Sequence, residues 1–157
     1  MKKLKNVFFF VCLSALISCS DAADEDLGIS GEGSFTAKVD GVAFTSLKAT
    51  VGASVSNEVA AIQGSKSDGE YIRINILNYT GVGTYTTGDD VTNVNSIQYG
   101  TVSPISTWIS TFNQGTGTIK ITEDTSSTIS GTFSFTGVQD GFANKIVTEG
   151  TFNAPKK

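Results

Sequence analysis

Apolar side chains recur at every second position from residue 34 onward, in segments separated by breaks that contain glycine. This period of two is typical of a β-strand with one buried face, and a helical period of 3.6 is not evident in these segments. The first segment ends at Asp40-Gly41, a dipeptide that favours a two-residue type I′ hairpin turn. The side chains that this hairpin would place on one buried face are Phe35, Ala37, Val39, Val42 and Phe44.

A run of β-branched residues over 70–79 predicts a central strand, with Ile72, Ile74 and Ile76 on one side. Weaker patterns indicate further strands over residues 47–55, 58–64, 83–85, 94–102 and 106–112. We therefore predict an all-β fold, an antiparallel β-sandwich or flattened β-barrel of about eight to ten strands with mostly hairpin connections. One domain would span residues 34–157, because about 120 residues suffice for a single core.

The last third of the chain predicts two hairpins of defined register. Ile121 would lie opposite Ile129, and this pairing requires a connection with an odd number of residues if both side chains are to be buried. A second turn at Asp140-Gly141 would place Phe135 opposite Ile146.

The N-terminal residues 1–18 have the pattern of a secretory signal peptide. Three lysines precede an apolar run over residues 7–17, which is too short to span a bilayer. The run leads into a segment that looks like a bacterial lipobox, with Leu16, Ile17 and Ser18 as the signal-recognition residues and Cys19 as the lipidated residue. In this interpretation the membrane is a partner of the protein through the N-terminal lipid on Cys19.

Residues 19–33 are rich in acids and glycine, as expected for a flexible acidic tether. The acids form either a solvated spacer or an export signal, because they resemble the signals that follow the lipidated cysteine in surface lipoproteins of Bacteroidota. The residues of this export signal would be Ser20, Asp21, Asp24, Glu25 and Asp26. We expect a cell-envelope, outer-membrane lipoprotein that faces either the medium or the periplasm. The alternative is cleavage after Ala22 or Ala23, which would release a soluble protein.

The charge of the processed chain argues against a nucleic-acid partner. Removal of residues 1–18 takes away three lysines and no acid, so the formal net charge changes from −4 to −7. Phosphate binding requires concentrated lysine and arginine, which this composition does not supply.

The chain contains no histidine, which removes the usual general base of Ser and Cys triads and the commonest ligand of catalytic zinc. We therefore predict no enzymatic activity and no cofactor. A glycosidase would need only two carboxylates, for which the candidates are Asp89, Asp90, Glu123 and Asp124. One loop also offers weak candidates for a metal site, in a spacing that does not match an EF-hand: Asp89, Asp90, Asn93 and Asn95.

Aromatic residues give a second lead, because exposed rings could form a stacking platform for sugars. The candidates are Trp108, Tyr71, Tyr79, Tyr85 and Tyr99. We favour the alternative in which Trp108 packs in the core with Phe112, while Tyr71 and Tyr79 cover the outside of the sheet.

Several segments together resemble a family of uncharacterised Bacteroidota lipoproteins, over nearly the whole mature domain. They are Phe35-Thr36-Ala37-Lys38-Val39-Asp40-Gly41 with Phe44, Gly117-Thr118-Ile119-Lys120-Ile121-Thr122, Ile129-Ser130-Gly131-Thr132-Phe133-Ser134-Phe135 and Thr148-Glu149-Gly150-Thr151-Phe152. The resemblance implies an envelope lipoprotein with an antiparallel β domain, and it implies no activity or catalytic residues. We expect a non-catalytic binding or scaffolding module. The alternatives are a lipocalin-like carrier of a small hydrophobic ligand and a structural component of an envelope complex.

The lipobox interpretation predicts the behaviour of the two cysteines. Cys19→Ala should abolish incorporation of labelled palmitate and should release the mature chain from the membrane fraction, since the anchoring acyl chains would be lost. Cys12→Ala is the matched control, because Cys12 lies in the segment that is removed. Palmitate labelling that survives Cys19→Ala would contradict the assignment.

Overall fold

The computed structural model describes residues 33–157, and the predictions for the signal peptide, the Cys19 anchor and the export signal lie outside the described residues. Two antiparallel sheets contain the eleven strands of residues 33–157. The six-stranded sheet consists, in spatial order, of β2 (Val42–Thr45), β1 (Ser34–Val39), β11 (Lys145–Pro155), β10 (Thr128–Gly137), β9 (Thr116–Asp124) and β6 (Gly83–Thr87). The five-stranded sheet consists of β3 (Gly52–Ser56), β4 (Val59–Ser65), β5 (Tyr71–Leu77), β7 (Ser96–Val102) and β8 (Ile105–Thr111).

The sheets face each other as a sandwich, which confirms the predicted fold class. Six of the ten connections join strands that are neighbours in a sheet, as expected for mostly hairpin connections. A single turn of 3-10 helix at Lys48–Thr50 interrupts the segment predicted as a strand over 47–55. None of the helices in residues 33–157 is long and apolar enough to cross a membrane.

The β1–β2 hairpin has the predicted turn and register. Asp40 and Gly41 both have positive φ, 49° and 82°, as a type I′ turn requires, and Val39 lies opposite Val42. Phe44 is buried, but 71% of the surface of Val42 is exposed. Val42 is the first residue of β2, which is an edge strand. The alternation predicts the side of the strand on which Val42 lies, but the described residues leave most of this side chain uncovered.

Aromatic and isoleucine side chains fill the space between the sheets. The ring of Phe35 contacts those of Phe133 and Phe152, at centroid distances of 5.1 and 6.1 Å. Ile72 and Ile74 of β5, in the other sheet, belong to the same core cluster and are fully buried. Such interdigitated side chains are the interior of a sandwich and not of a hollow barrel.

The β9–β10 connection differs from the prediction in length and register. Asp124 and Ile129 are the last paired residues of the ladder, so a loop of four residues, 125–128, lies between them, and Ile121 lies opposite Gly131 instead of Ile129. A four-residue loop would turn one strand's apolar residues toward solvent if the ladder were regular. The ladder contains a bulge at Thr122, which restores the alternation, so that both isoleucines are buried.

The β10–β11 connection does not close at Asp140-Gly141. Val138 leaves β10 and exchanges two backbone hydrogen bonds with Ile109 of β8, with N···O distances of 3.0 and 2.9 Å. The connection is therefore longer, and Phe135 lies opposite Val147, while Ile146 is exposed.

Short bridges join the two sheets at opposite corners. The Val138–Ile109 bridge joins the end of β10 to β8, and Lys156 bridges to Ala53 of the edge strand β3. Next to the Val138–Ile109 bridge, the buried hydroxyl oxygens of Thr87 and Ser110 lie 2.6 Å apart and connect the two layers. A hydrogen bond formed in a low-dielectric interior is stronger than one in water.

The packing predicts that Phe35 is a large contributor to stability. Phe35→Ala should lower the free energy of unfolding by about 3–5 kcal/mol, because it removes a buried ring and leaves a cavity. Urea denaturation of the full chain measures this change. Val42→Ala is the control on the same hairpin and should change stability by less than about 0.5 kcal/mol, and equal losses for both would contradict this account of the core.

Candidate functional site

A cleft opens at one corner of the sandwich, between the β1–β2 hairpin and the β4–β5 turn. We call it the corner cleft. It has a volume of about 280 Å³ and is lined by Val39, Asp40, Val42, Ala43, Phe44, Lys66, Glu70, Tyr99 and Lys145. Its walls come from both sheets, and four of its nine lining residues are charged. This combination of polar groups and apolar walls is typical of a binding site.

Asp40 and Lys145 form one wall of the corner cleft. The Lys145 ammonium donates to a carboxylate oxygen of Asp40 at 2.6 Å, and the Ile146 backbone N–H donates to the other oxygen at 2.9 Å. These bonds to the ionised form lower the pKa of the Asp40 carboxyl below its ordinary value, with the Lys145 hydrogen bond as the largest cause. The turn that gives Asp40 its positive φ aims the side chain at the start of β11.

Lys66, Glu70 and Tyr99 form the opposite wall. The Lys66 ammonium lies 2.9 Å from a carboxylate oxygen of Asp68 and 2.9 Å from one of Glu70, and these hydrogen bonds raise the pKa of the lysine. Burial, followed by the negative charge of Glu70, raises the pKa of the Tyr99 phenol to about 12. The phenol is therefore a neutral hydrogen-bonding group at physiological pH.

An aromatic cluster lies next to the ammonium group of Lys145. Its ammonium lies 5.4 Å from the centroid of the Trp108 ring, within the range of a cation–π contact. Trp108 packs between Tyr99, at 5.8 Å, and Phe142, at 6.0 Å in an edge-on contact, and its indole N–H donates to the Ala143 carbonyl at 2.9 Å. Trp108 is in the core as predicted, but its aromatic neighbours are these two residues. Phe112, the predicted neighbour, is an exposed residue with φ of 49°.

The remaining aromatic candidates are divided between the core and the surface. Tyr79 is buried, contrary to the prediction that it covers the outside of the sheet, because it follows the end of β5 and turns inward onto Tyr85 at 5.7 Å. Its hydroxyl donates to Asp124 at 2.9 Å, and burial and this carboxylate raise its pKa. Tyr71 alone lies half-exposed on the outer face of the five-stranded sheet, as predicted.

The loop proposed as a metal site holds its polar side chains in protein hydrogen bonds. Asn93 donates to the Thr86 carbonyl at 2.8 Å and to Asp89 at 2.5 Å. The Asn95 side-chain oxygen accepts the Leu77 N–H at 2.8 Å, and the equivalent oxygen of Asp90 accepts the Thr92 N–H at 2.7 Å. Within residues 33–157, three or more His, Cys, Asp or Glu side chains are nowhere grouped so as to hold a metal ion. The site therefore stays a prediction from sequence, and the structure adds that these residues tie the loop to β6.

Three of the four carboxylates suggested for glycoside hydrolysis, all except Glu123, are also engaged in structural contacts. Asp124 forms an ion pair with Lys156 and accepts the Tyr79 hydroxyl, and its pKa is lowered chiefly by Lys156. Asp89 and Asp90 likewise have lowered pKa values, through side-chain hydrogen bonds from Thr86 and Thr92 respectively.

The resolved pKa shifts in the described part of the chain all lead away from neutral pH. Aspartates shift down, while lysine and tyrosine shift up, so every resolved shift moves a group away from neutral pH. General acid–base catalysis favours the opposite arrangement, in which a pKa lies near the operating pH. The corner cleft is thus suited to hold a ligand by fixed charges and hydrogen bonds.

No sequence pattern indicates the corner cleft, because its residues come from four separate segments. The sequence around Asp40 indicates only a turn, and Lys145 has no distinguishing neighbours in the sequence. The one local signal was the placement of Lys66 and Glu70 on either side of the Asp68-Gly69 turn, four positions apart.

The lowered pKa of Asp40 predicts a pH-dependent contribution to stability. Because the folded-state pKa is below the unfolded value of about 3.8, the contribution is complete above that pH and is lost as the pH falls through the folded-state pKa. The difference in unfolding free energy between wild type and Asp40→Asn should therefore shrink on acidification, as measured by urea denaturation from about pH 6 to about pH 2. Asp140→Asn gives the baseline for removing an exposed carboxylate. A constant difference across this range would contradict the Asp40–Lys145 assignment.

Comparison with known proteins identifies a family and no activity. No curated protein and no solved structure matches the chain. A family model described as a domain of unknown function matches residues 31–154, which cover most of the chain and all eleven strands except the last residue of β11. The chain therefore belongs to the DUF6252 family of domains of unknown function.

Proposed function

We propose that the protein is a lipid-anchored, non-catalytic binding module of the cell envelope, and that the corner cleft holds its ligand. The observation that carries this proposal is the charge arrangement in the cleft. Two ion pairs, Asp40–Lys145 and Lys66–Glu70, lie in its opposite walls. The lowered pKa of Asp40 and the raised pKa of Lys66 keep these two groups charged across the neutral range. Such a cleft offers donors and acceptors without a group poised to exchange protons with a ligand.

The position of the corner cleft fits a tethered module. β1 runs from Ser34, next to the acidic tether, to Val39 at the other end of the sheet, and the cleft begins at this far end. A strand of this length spans about 20 Å. A ligand from the medium or from another envelope component would therefore approach the end of β1 that is remote from Ser34, the strand's tether-side end.

The two other candidate functions receive less support. A carrier of a hydrophobic ligand needs an apolar cavity, whereas the rings of Phe35, Phe133 and Phe152 occupy the interior. A structural role would be favoured by an unprotected edge strand, and β6 is an uncharged edge. The outward carbonyl of Thr86 in β6 is, however, capped by the amide groups of Asn93 and Asn95, at 2.8 and 3.1 Å.

Trp108 provides an internal reporter for the proposal. It is the only tryptophan of the chain and contacts Lys145, so a ligand in the corner cleft should change its fluorescence. We expect a titration with peptidoglycan fragments, short peptides and oligosaccharides to give a saturable change for one class, with the ligand recovered unchanged. Neutralising the Lys66–Glu70 pair, as Lys66→Met with Glu70→Gln, should weaken this binding about tenfold or more.

The matched control removes an ion pair elsewhere. Lys38→Met with Glu149→Gln neutralises an ion pair on the outer face of the six-stranded sheet. Its N···O distance is 2.8 Å, close to the 2.9 Å of the Lys66–Glu70 pair, and its removal should leave the titration unchanged. Equal weakening by both double variants would refute the corner cleft as the site, and chemical conversion of a ligand would refute a non-catalytic role.

A further inference from the structure

The outer face of the five-stranded sheet carries a positive charge, Arg73, that has no carboxylate partner among the described residues. Arg73 is the only arginine of the chain and the only charged residue in the sequences of β3, β4, β5, β7 and β8. Its side chain is exposed on the central strand β5, and no carboxylate of the described residues lies within ion-pair distance of it. The processed chain has an excess of acids, so a cation without a carboxylate partner at the centre of a sheet is unexpected on composition alone.

Planar polar side chains flank Arg73 in register. Gln63 of β4 and Gln98 of β7 lie directly opposite it on either side. The row therefore crosses three strands and spans about 10 Å. Arg73 Nη2 lies 3.4 Å from the Gln63 side-chain oxygen, and the next row continues the polar face with Asn75 and Ser96, joined by a 3.2 Å hydrogen bond.

The ring of Tyr71 lies beside the Arg73 guanidinium, on the side away from Gln63. A Cβ atom at Gly100 would lie only 2.3–2.4 Å from two ring carbons of Tyr71, so the ring lies flat on the sheet where glycine leaves room for it. The Tyr71 hydroxyl is 3.4 Å from that of Thr107, and the Arg73 guanidinium carbon is 5.8 Å from the ring centroid. The guanidinium is thus positioned by an aromatic ring on one side and an amide on the other, which lowers the entropy lost on binding.

A shallow trough begins beside Arg73. It has a volume of about 280 Å³, and its lining includes Gly52, Ser54, Ala61, Gln63, Arg73 and Lys157. The small residues form the floor, and the long polar side chains form the rim. The floor belongs to paired strands, so the bottom of the trough offers no free backbone groups.

We propose that this outer face binds a carboxylate-bearing polysaccharide, with Arg73 pairing with a carboxylate and the flanking amide and hydroxyl side chains bonding to sugar hydroxyls. The planar guanidinium fork matches the two oxygens of a carboxylate. A flat, open face with several hydrogen-bonding side chains suits an extended, hydroxyl-rich chain. A peptide ligand is less suited, because it would need a free strand edge or apolar side-chain pockets, and nucleic acid would need many more cations.

The full chain can be tested with polygalacturonate, and with the same polymer after methyl esterification, which removes its charge but keeps its hydroxyls. We expect retardation of the protein in polygalacturonate gels and little in the esterified polymer. Arg73→Gln should weaken the interaction about tenfold or more, and Arg73→Lys, which keeps the charge but not the fork, should weaken it less. Lys120→Gln is the matched control, because Lys120 is an exposed lysine on the outer face of the six-stranded sheet.

The outcomes separate this proposal from its rivals and from the corner cleft. Equal retardation by the esterified polymer, or equal weakening by Lys120→Gln, would overturn it, as would the absence of any interaction. Retardation by poly-glutamate to the same extent would also overturn it in favour of an acidic protein partner. The Lys66→Met, Glu70→Gln variant should bind polygalacturonate like wild type, so failure here and failure of the corner cleft are distinguishable.

Discussion

The contact between the two sheets' inner faces is the interaction on which the rest of this structure depends. Residues 33–157 contain no cysteine, so no disulfide stabilises this part of the chain. The burial of side chains such as Phe35, Ile72 and Phe133 therefore has to offset the conformational entropy that the chain loses on folding. β1 and β11, the first and last strands of the described residues, are neighbours in the six-stranded sheet. Their pairing brings together segments that are separated by more than 100 residues. Both proposed binding surfaces depend on this packing, because the corner cleft lies where the two sheets meet and the Arg73 face is the outer side of the five-stranded sheet.

The alternation of apolar residues was enough to predict most of the buried side chains, as the isoleucines of β5 and the β1–β2 hairpin demonstrate. Val42, on the edge strand, is the exception in the hairpin. The alternation was not enough to predict register in the C-terminal third. The bulge at Thr122 and the positive φ of Glu149, 53°, each shift a ladder by one residue, and neither position has the glycine that would signal it. The departure of Val138 to β8 depends on a partner nearly 30 residues away in sequence, so no local pattern could have indicated it.

The candidate sites were harder to predict than the fold, for a related reason. Asp40, Glu70, Tyr99 and Lys145 come together only because two sheets meet at a corner, and each of them is an ordinary surface or core residue in its own segment. Arg73 lies on the side of β5 opposite the buried isoleucines, as their alternation predicts, but its significance depends on what surrounds it. That information lies in the registers of β4 and β7, which place an amide on each side, and in Gly100, which lets Tyr71 lie flat.

The bridges at the two corners also bear on how the protein behaves among copies of itself. Strands at the edge of a sheet can pair with another chain, and confinement to a surface would raise the frequency of such encounters. Here Lys156 pairs with part of β3, Val138 pairs with part of β8, and Asn93 and Asn95 occupy an outward carbonyl of β6. The remaining edge, β2, is only four residues long. A molecule built in this way can be crowded at high density with little tendency to form intermolecular sheets.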